Sequence, residues 1–157
     1  MNFIIFISGI ILAYAGSLIG AIIAHNSKRE LKQGERYFIG LQKAVLVLFL
    51  LTPLMFSMQY GLLLLALLLI MAIFIISKPD LYAYVLFAII LPYSAVDPLF
   101  FATMCFLAFL YGLPSQALKP EKKTALQGVI RAAKEHAPFA ATAIILGIVF
   151  SVLSIAP

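Results

Sequence analysis

Residues 61–76 read GLLLLALLLIMAIFII, a continuous apolar run with no charged or hydrogen-bonding side chain. The same character extends over the whole chain of 157 residues, which is 64% hydrophobic and 11% charged and has a mean hydropathy of +1.12. A soluble domain of this composition would expose apolar surface on every side, whereas a lipid bilayer removes that cost. The sequence therefore predicts an integral membrane protein.

Six segments are long and apolar enough to cross a bilayer. A hydrocarbon core about 30 Å thick needs roughly 20 residues of helix, or somewhat fewer where the bilayer thins. The apolar runs do not alternate with polar residues, so helices are expected rather than a β-barrel. We expect an all-α membrane protein with a single domain over residues 1–157, a compact bundle of six transmembrane helices at approximately 3–24, 38–56, 60–77, 81–96, 98–117 and 138–156.

The basic residues predict the orientation. Cytoplasmic flanks of spanning helices collect Lys and Arg, because moving a cation across the bilayer is costly and is opposed by the membrane potential. With six crossings, both termini and the second and fourth connections lack basic residues, which predicts a multi-pass protein of the cytoplasmic membrane with both termini outside. All 11 basic residues then lie on the cytoplasmic side: Lys28, Arg29, Lys32, Arg36, Lys43, Lys78, Lys119, Lys122, Lys123, Arg131 and Lys134.

Two alternatives compete with this topology. Residues 81–117 could form a re-entrant hairpin, since the fourth segment is short and is interrupted by Pro92, and such a hairpin would satisfy the charges equally well. At the N-terminus, Ala13, Tyr14 and Ala15 resemble a small-residue cleavage site of a signal peptide. An uncleaved anchor is favoured, because no Lys or Arg precedes the apolar run and a basic cluster follows it.

The first segment carries small residues at spacings of three and four. Gly16 and Gly20 form a GxxxG pair, which lets another backbone approach closely. The simpler interpretation is packing against other helices of the same chain, and the functional one is a docking face for a membrane protein partner or for a second copy. The stripe consists of Gly9, Ala13, Gly16, Ser17, Gly20 and Ala24.

Two polar segments are expected to form short cytoplasmic helices. In the first, Ser27 and Glu30 match a capping box, and Gly34 could end the helix that they start. In the second, residues 121–136 carry apolar and charged side chains on opposite faces, which predicts a cytoplasmic amphipathic helix between the fifth and sixth spans. Pro138 is expected to end it, because proline is disfavoured inside a helix.

Polar residues near the cytoplasmic surface are the candidates for a site. They could gather around a lipid headgroup, or serve an enzyme acting on headgroups or membrane peptides, if their side chains converge within hydrogen-bond range. Solvated loop residues are the simpler interpretation, since no metal-ligand spacing such as HExxH is present. The candidates are His25, Arg29, Glu30, Lys32, Arg36, Asp80 and His136.

The sequence offers little support for catalysis. Asp80 and Asp97 lie nearest to membrane depth, but the predicted topology places them on opposite sides, where they cannot share a water. Ser115 lacks the GxSxG context, and the single cysteine, Cys105, excludes an internal disulfide. We expect no catalytic residue, cofactor or metal. The net charge of +5 is explained by loops that face anionic lipid, so a nucleic-acid partner is not expected.

Three functions are compatible with these features. The favoured one is a non-catalytic integral membrane component, a subunit or assembly partner of a membrane complex. The alternative is a small transporter or a substrate-capturing membrane subunit with kinked helices, which would need a rather apolar substrate because few polar residues lie at mid-membrane. The further alternative is the interfacial enzyme described above.

Overall fold

The computed structural model describes residues 3–56, 79–95, 97–119 and 124–153. Within these ranges the chain forms five helices and no strand, so the expected all-helical class is confirmed there. The predicted span at 60–77 lies outside the described residues. The helices are α1 (Phe3–Asn26), α2 (Lys28–Phe56), α3 (Pro79–Ser94), α4 (Pro98–Ala117) and α5 (Ala125–Leu153).

Four of the described helices contain stretches that are long and apolar enough to cross a membrane. In α3 the corresponding stretch, Ala83–Ser94, is shorter than the roughly 20 residues of an untilted crossing. These apolar helices are therefore compatible with a membrane protein. The four long stretches are Ile4–Asn26, Gln33–Pro53, Pro98–Ala117 and Ala125–Val149.

The bounds of α4 coincide with the predicted segment at 98–117, and local sequence explains both ends. The Asp97 carboxylate accepts a hydrogen bond from the backbone N–H of Phe100 at 2.8 Å, which satisfies one of the unpaired donors of the first turn. Pro98 follows at the first helical position, where its missing N–H costs nothing. At the other end the backbone N–H of Leu118 donates to the carbonyl of Pro114 at 3.0 Å.

Two predicted helix boundaries are wrong. Gly34 does not end a short helix, because α2 continues through it into the apolar segment. Pro138 does not separate an amphipathic helix from the last span, because α5 runs through it without interruption. The proline removes the N–H that would bond the carbonyl of Lys134, but both residues are exposed there, so water or headgroups can replace that bond. The polar segments are extensions of apolar helices.

Helices α1 and α4 run parallel at very short range. A β-carbon added at Gly16 would overlap the carbonyl of Phe109, and one added at Gly20 would overlap the carbonyl of Leu113. Both pairs advance by four residues in the same direction, which fixes the parallel orientation. Only glycine allows the two backbones to approach this closely.

The same contact continues toward the start of both helices. A β-carbon at Gly9 would overlap the ring of Phe101, and the rings of Phe6 and Phe101 stack with their centroids 5.5 Å apart. From the other side, a β-carbon at Gly112 would lie 2.6 Å from the backbone nitrogen of Ser17. Helix α4 therefore accompanies α1 along most of its length.

Helix α5 runs antiparallel to α1. A β-carbon at Gly128 would lie 3.7 Å from the carbonyl oxygen of Ala21, whereas one at Gly147 would overlap the ring of Phe6. The first residues of α5 therefore lie beside the end of α1, and its last residues lie beside the start of α1.

Helices α2 and α3 each run antiparallel to α4. Tyr84, early in α3, lies beside Tyr111 late in α4, with ring centroids 5.8 Å apart. Gln42 of α2 also reaches the end of α4, since its side-chain N–H donates to the Tyr111 hydroxyl at 3.1 Å. From residue 42 to residue 56 an α-helix advances about 21 Å, so α2 ends at the far end of the bundle from the start of α3.

One end of the bundle thus collects five helix termini. We call it the basic end; it comprises the C-terminal turns of α1 and α4, the N-terminal turns of α2, α3 and α5, and the residues beside them. Four of the described basic residues, Arg36, Lys119, Arg131 and Lys134, lie toward this end. The opposite end contains the start of α1 and the turn at Asp97 between α3 and α4.

Candidate functional site

Polar side chains from four helices meet near the basic end, and all of them are buried except that of Glu135, which is 37% exposed. We call this set the polar cluster; Tyr14 comes from α1, Tyr84 from α3, Ser115 and Gln116 from α4, and Glu135 and His136 from α5. Gln116 is fully buried, and His136 and Tyr14 are only 4% and 9% exposed. Polar groups at this depth need hydrogen-bond partners, so the cluster constrains how the four helices pack.

Gln116 and His136 form the central contact of the polar cluster. The Gln116 side-chain nitrogen lies 2.6 Å from Nε2 of His136 and 3.2 Å from a carboxylate oxygen of Glu135. The amide can donate one N–H to each. His136 Nε2 then accepts, which requires the neutral imidazole with its proton on Nδ1.

Glu135 links the polar cluster to the basic residues around it. Its carboxylate accepts a short hydrogen bond from the ammonium of Lys119 and has one oxygen 3.8 Å from Nε of Arg131, one helical turn earlier. These charges are partly exposed, so the ion pairs contribute modestly to stability. They hold the end of α4 against the first turns of α5.

Tyr84 lies at the centre of an aromatic group. Its hydroxyl is 2.7 Å from the Ser115 hydroxyl, which also donates to the carbonyl of Gly112 at 3.0 Å. The Tyr84 ring packs on the imidazole of His136 with centroids 3.9 Å apart, and the Tyr14 ring lies 6.2 Å away on the α1 side. One tyrosine thus joins α3 to the three other helices of the cluster.

Three buried polar atoms of the cluster have no hydrogen-bond partner among the described residues. They are the hydroxyl of Tyr14, the side-chain oxygen of Gln116 and Nδ1 of His136. Leaving such an atom unpaired costs about 1–3 kcal/mol. Together these atoms comprise two potential donors and two potential acceptors, since the tyrosine hydroxyl can serve as either.

The described residues include no group of three His, Cys, Asp or Glu side chains that could hold a metal ion. Cys105 is buried in α4 among apolar neighbours.

The structure describes the side chains of four of the predicted interfacial residues, and they lie in different surroundings. His136 belongs to the polar cluster, and its described contacts are with Gln116, Tyr84 and Tyr14. His25 is partly buried near the end of α1, whereas Glu30 and Arg36 are exposed on the first turns of α2. The predicted residues whose side chains lie outside the described part of the chain are Arg29, Lys32 and Asp80.

The small-residue stripe of α1 faces α4 inside the chain. Gly9, Gly16 and Gly20 are the sites of closest approach, and Ala13 and Ser17 are buried at 3% and 1% exposure. Ala24, at the end of the stripe, is only partly buried. This face packs within the protein itself.

Sequence reasoning identified His136 but missed the residues around it. The signal available in the sequence was the distance of each polar residue from the predicted cytoplasmic boundary of its segment. Tyr84 follows soon after the predicted cytoplasmic start of its segment. Ser115 and Gln116 precede the predicted cytoplasmic end of theirs, and His136 lies just before the last predicted span. Aligning polar residues by distance from the predicted cytoplasmic boundary would have placed them at one level.

The chain matches no protein-family model, and no curated protein or solved structure shows significant similarity to it.

Proposed function

We propose that this chain is a non-catalytic integral membrane component, a subunit or assembly partner of a membrane complex, that crosses the cytoplasmic membrane six times with both termini outside. The observation that supports this function is that exposed small residues lie on α2 and α5, two helices that are long enough to span the bilayer. The small-residue stripe of α1, in contrast, packs against α4 inside the chain. The direction of the described helices supports the topology.

The positions of the end of α2 and the start of α3 support six crossings. Helix α2 ends at the far end of the bundle, and α3 begins near the basic end. The span predicted from the sequence at 60–77 would join these two ends, and a helix of its 18 residues advances about 27 Å, close to the roughly 30 Å of a hydrocarbon core.

Two full crossings at 81–117 are favoured over a re-entrant hairpin. Helix α4 accompanies α1 from the level of Gly9 to that of Gly20, so the turn at Asp97 lies near the start of α1. A hairpin that returned at mid-membrane would instead place this turn near the middle of α1. The crossing by the short α3 requires local thinning of the bilayer or polar flanking residues at its ends.

The orientation is supported by the charges at the basic end. The polar extensions of α2 and α5 and the C-terminal turn of α4 all lie there, which supports the prediction that the basic residues of these segments share one side of the membrane. The positive-inside rule then makes the basic end cytoplasmic.

The proposed docking surface lies on α2 and α5. In the most apolar stretches of these helices only 28% and 17% of the residues are buried, and α2 packs mainly on α4 while α5 packs on α1 and α3. Small residues recur at a spacing of four on both exposed faces: Gly40 and Ala44 on α2, and Ala133, Ala137 and Ala141 on α5. Such spacing permits close approach of another helix in lipid.

Photocrosslinking in native membranes tests this function. Benzoylphenylalanine would be placed at Ala44 or Ala141, with Ile11 of α1, which is 63% exposed, as the matched lipid-facing control. The proposal predicts adducts of discrete protein mass from Ala44 or Ala141, with a different protein or with a second copy, and lipid adducts alone from Ile11. Lipid adducts alone from all three positions would contradict it.

A substrate-capturing membrane subunit is the second candidate, and one observation favours it. The three unpartnered atoms of the polar cluster lie between helices at a depth where membrane proteins usually place polar groups for a purpose.

A further inference from the structure

An open cavity lies on the surface of α5 at the basic end of the bundle. Its volume is about 550 Å³, within the range of about 300–1,000 Å³ that is typical of small-ligand sites. The described residues that line it follow the helical repeat, so they share one face of α5. They are Gln127, Ile130, Arg131, Lys134 and Glu135.

The charges in this cavity favour an anionic ligand. Arg131 and Lys134 are three residues apart, which places their β-carbons about 5–6 Å from each other on one side of the helix. One small anion can therefore contact both side chains. Glu135, the acidic residue among the described lining residues, accepts hydrogen bonds from Lys119 and Gln116. Its negative charge is thus balanced by a cation that does not line the cavity.

The same face of α5 is apolar beyond the cavity. Pro138, Ile145 and Val149 follow Lys134 by four, eleven and fifteen residues, which are close to whole numbers of helical turns. Pro138 is exposed, and Ile145 and Val149 are 60% and 44% exposed. From Lys134 to Ile145 the helix advances about 16 Å, which is about half of a hydrocarbon core about 30 Å thick. The face therefore combines two cations with an apolar strip as long as one leaflet.

We propose that this cavity binds the phosphate of an anionic phospholipid, whose acyl chains lie along the apolar strip. The phosphate accepts charge-assisted hydrogen bonds from Arg131 and Lys134 together. Phosphatidylcholine carries the same phosphate, but the two cations repel its ammonium group. The inference goes beyond the docking surface, since Ala133 and Ala137 lie on a neighbouring face of α5, and it requires only that α5 lies in a membrane.

Lipid titrations of the full chain test the proposal. The chain is held in micelles of a neutral detergent, and phosphatidylglycerol or phosphatidylcholine is added while native mass spectrometry counts the first bound lipid. A neutral micelle has no anionic surface, so diffuse attraction to a charged leaflet is absent. We expect the Kd of phosphatidylglycerol to be about tenfold lower than that of phosphatidylcholine.

Substitutions locate the bound lipid. Lys134→Gln should raise the Kd of phosphatidylglycerol about threefold, and the double variant with Arg131→Gln should raise it about tenfold, which removes the preference over phosphatidylcholine. The single variant leaves the contact between Arg131 and Glu135 in place, so it tests the site even if the double variant does not fold. Lys43→Gln is the matched control, because Lys43 is an exposed lysine of α2, and it should leave the Kd unchanged.

Two results would overturn the proposal directly: equal Kd values for the two lipids, or equal effects of Lys134→Gln and Lys43→Gln. Inorganic phosphate distinguishes a lipid from a free ion. We expect it not to displace phosphatidylglycerol, because the ion has no acyl chain to contact Ile145 and Val149. Displacement by inorganic phosphate at concentrations similar to that of the lipid would assign the cavity to a free phosphate ion and contradict a lipid site.

Discussion

Replacing Gly16 by alanine should force α1 and α4 apart. The added β-carbon would overlap the Phe109 carbonyl oxygen and would lie 2.8 and 2.9 Å from its carbonyl carbon and Cα. Carbon atoms in ordinary contact are about 3.5–4.0 Å apart. Because the obstructing atoms belong to the backbone, no side-chain rotation can relieve the contact, and the helices must separate by up to about 1 Å.

The expected cost follows from that separation. A gap of 0.5–1 Å forfeits about a quarter to a half of each dispersion contact, and overpacking a close interface costs about 1–3 kcal/mol. The higher helix propensity of alanine returns up to about 1 kcal/mol. We therefore expect Gly16→Ala to lower the free energy of unfolding by about 1–2 kcal/mol.

Gly34→Ala is the matched control, because a β-carbon at Gly34 would meet only the Phe38 ring, at 3.7 Å, which is an ordinary van der Waals contact. This variant gains the higher helix propensity of alanine without a steric clash. Its free energy of unfolding should therefore be unchanged or higher by up to about 1 kcal/mol. Unfolding by SDS in mixed micelles can be followed by far-UV circular dichroism, since the chain contains no Trp. Equal stability of the two variants would refute the close α1–α4 contact.

Two smaller perturbations test the ends and the interior of the bundle. Asp97→Ala removes the acceptor for the Phe100 N–H and should lower the free energy of unfolding by about 1 kcal/mol in the same assay. Asp97→Asn keeps an acceptor and should lower it less. An equal decrease in both variants would argue that Asp97 does not cap α4. Tyr84→Phe removes the hydrogen bond to Ser115 and should lower the free energy of unfolding by about 0.5–1.5 kcal/mol; Tyr93→Phe is the exposed control, and a Tyr84 variant as stable as this control would show that the bond contributes little.

The apolar segments could be predicted from the sequence, but the continuity of the helices could not. Hydropathy identifies the part of a helix that lies in lipid, but it does not show how far the helix continues into the polar sequence beside it. Gly34 and Pro138 were given their usual meaning as helix breakers. Both are tolerated because the surrounding helix is long, and Pro138 lies on an exposed face where its unpaired carbonyl can be solvated.

The polar cluster escaped sequence reasoning because its members belong to four helices. His136 was grouped with polar neighbours along the chain, such as His25 and Glu30, whereas its described contacts are with Gln116 and Tyr84. Those contacts depend on which helices are adjacent and in which direction each runs. The small-residue stripe of α1 was visible in the sequence, but its partner Gly112 is the only glycine of α4, so α4 shows no comparable GxxxG pair.

The direct test of the proposed topology is the side of the membrane on which each end of the bundle is exposed. In a Cys105→Ala background, single cysteines at Glu30, Thr124 and Leu99 would be treated with a membrane-impermeant maleimide in intact and in opened cells. We predict that the cysteine at Leu99 reacts from outside, and that those at Glu30 and Thr124 react only after the membrane is opened. Reaction of the Glu30 and Thr124 positions from opposite sides would contradict the six-crossing arrangement.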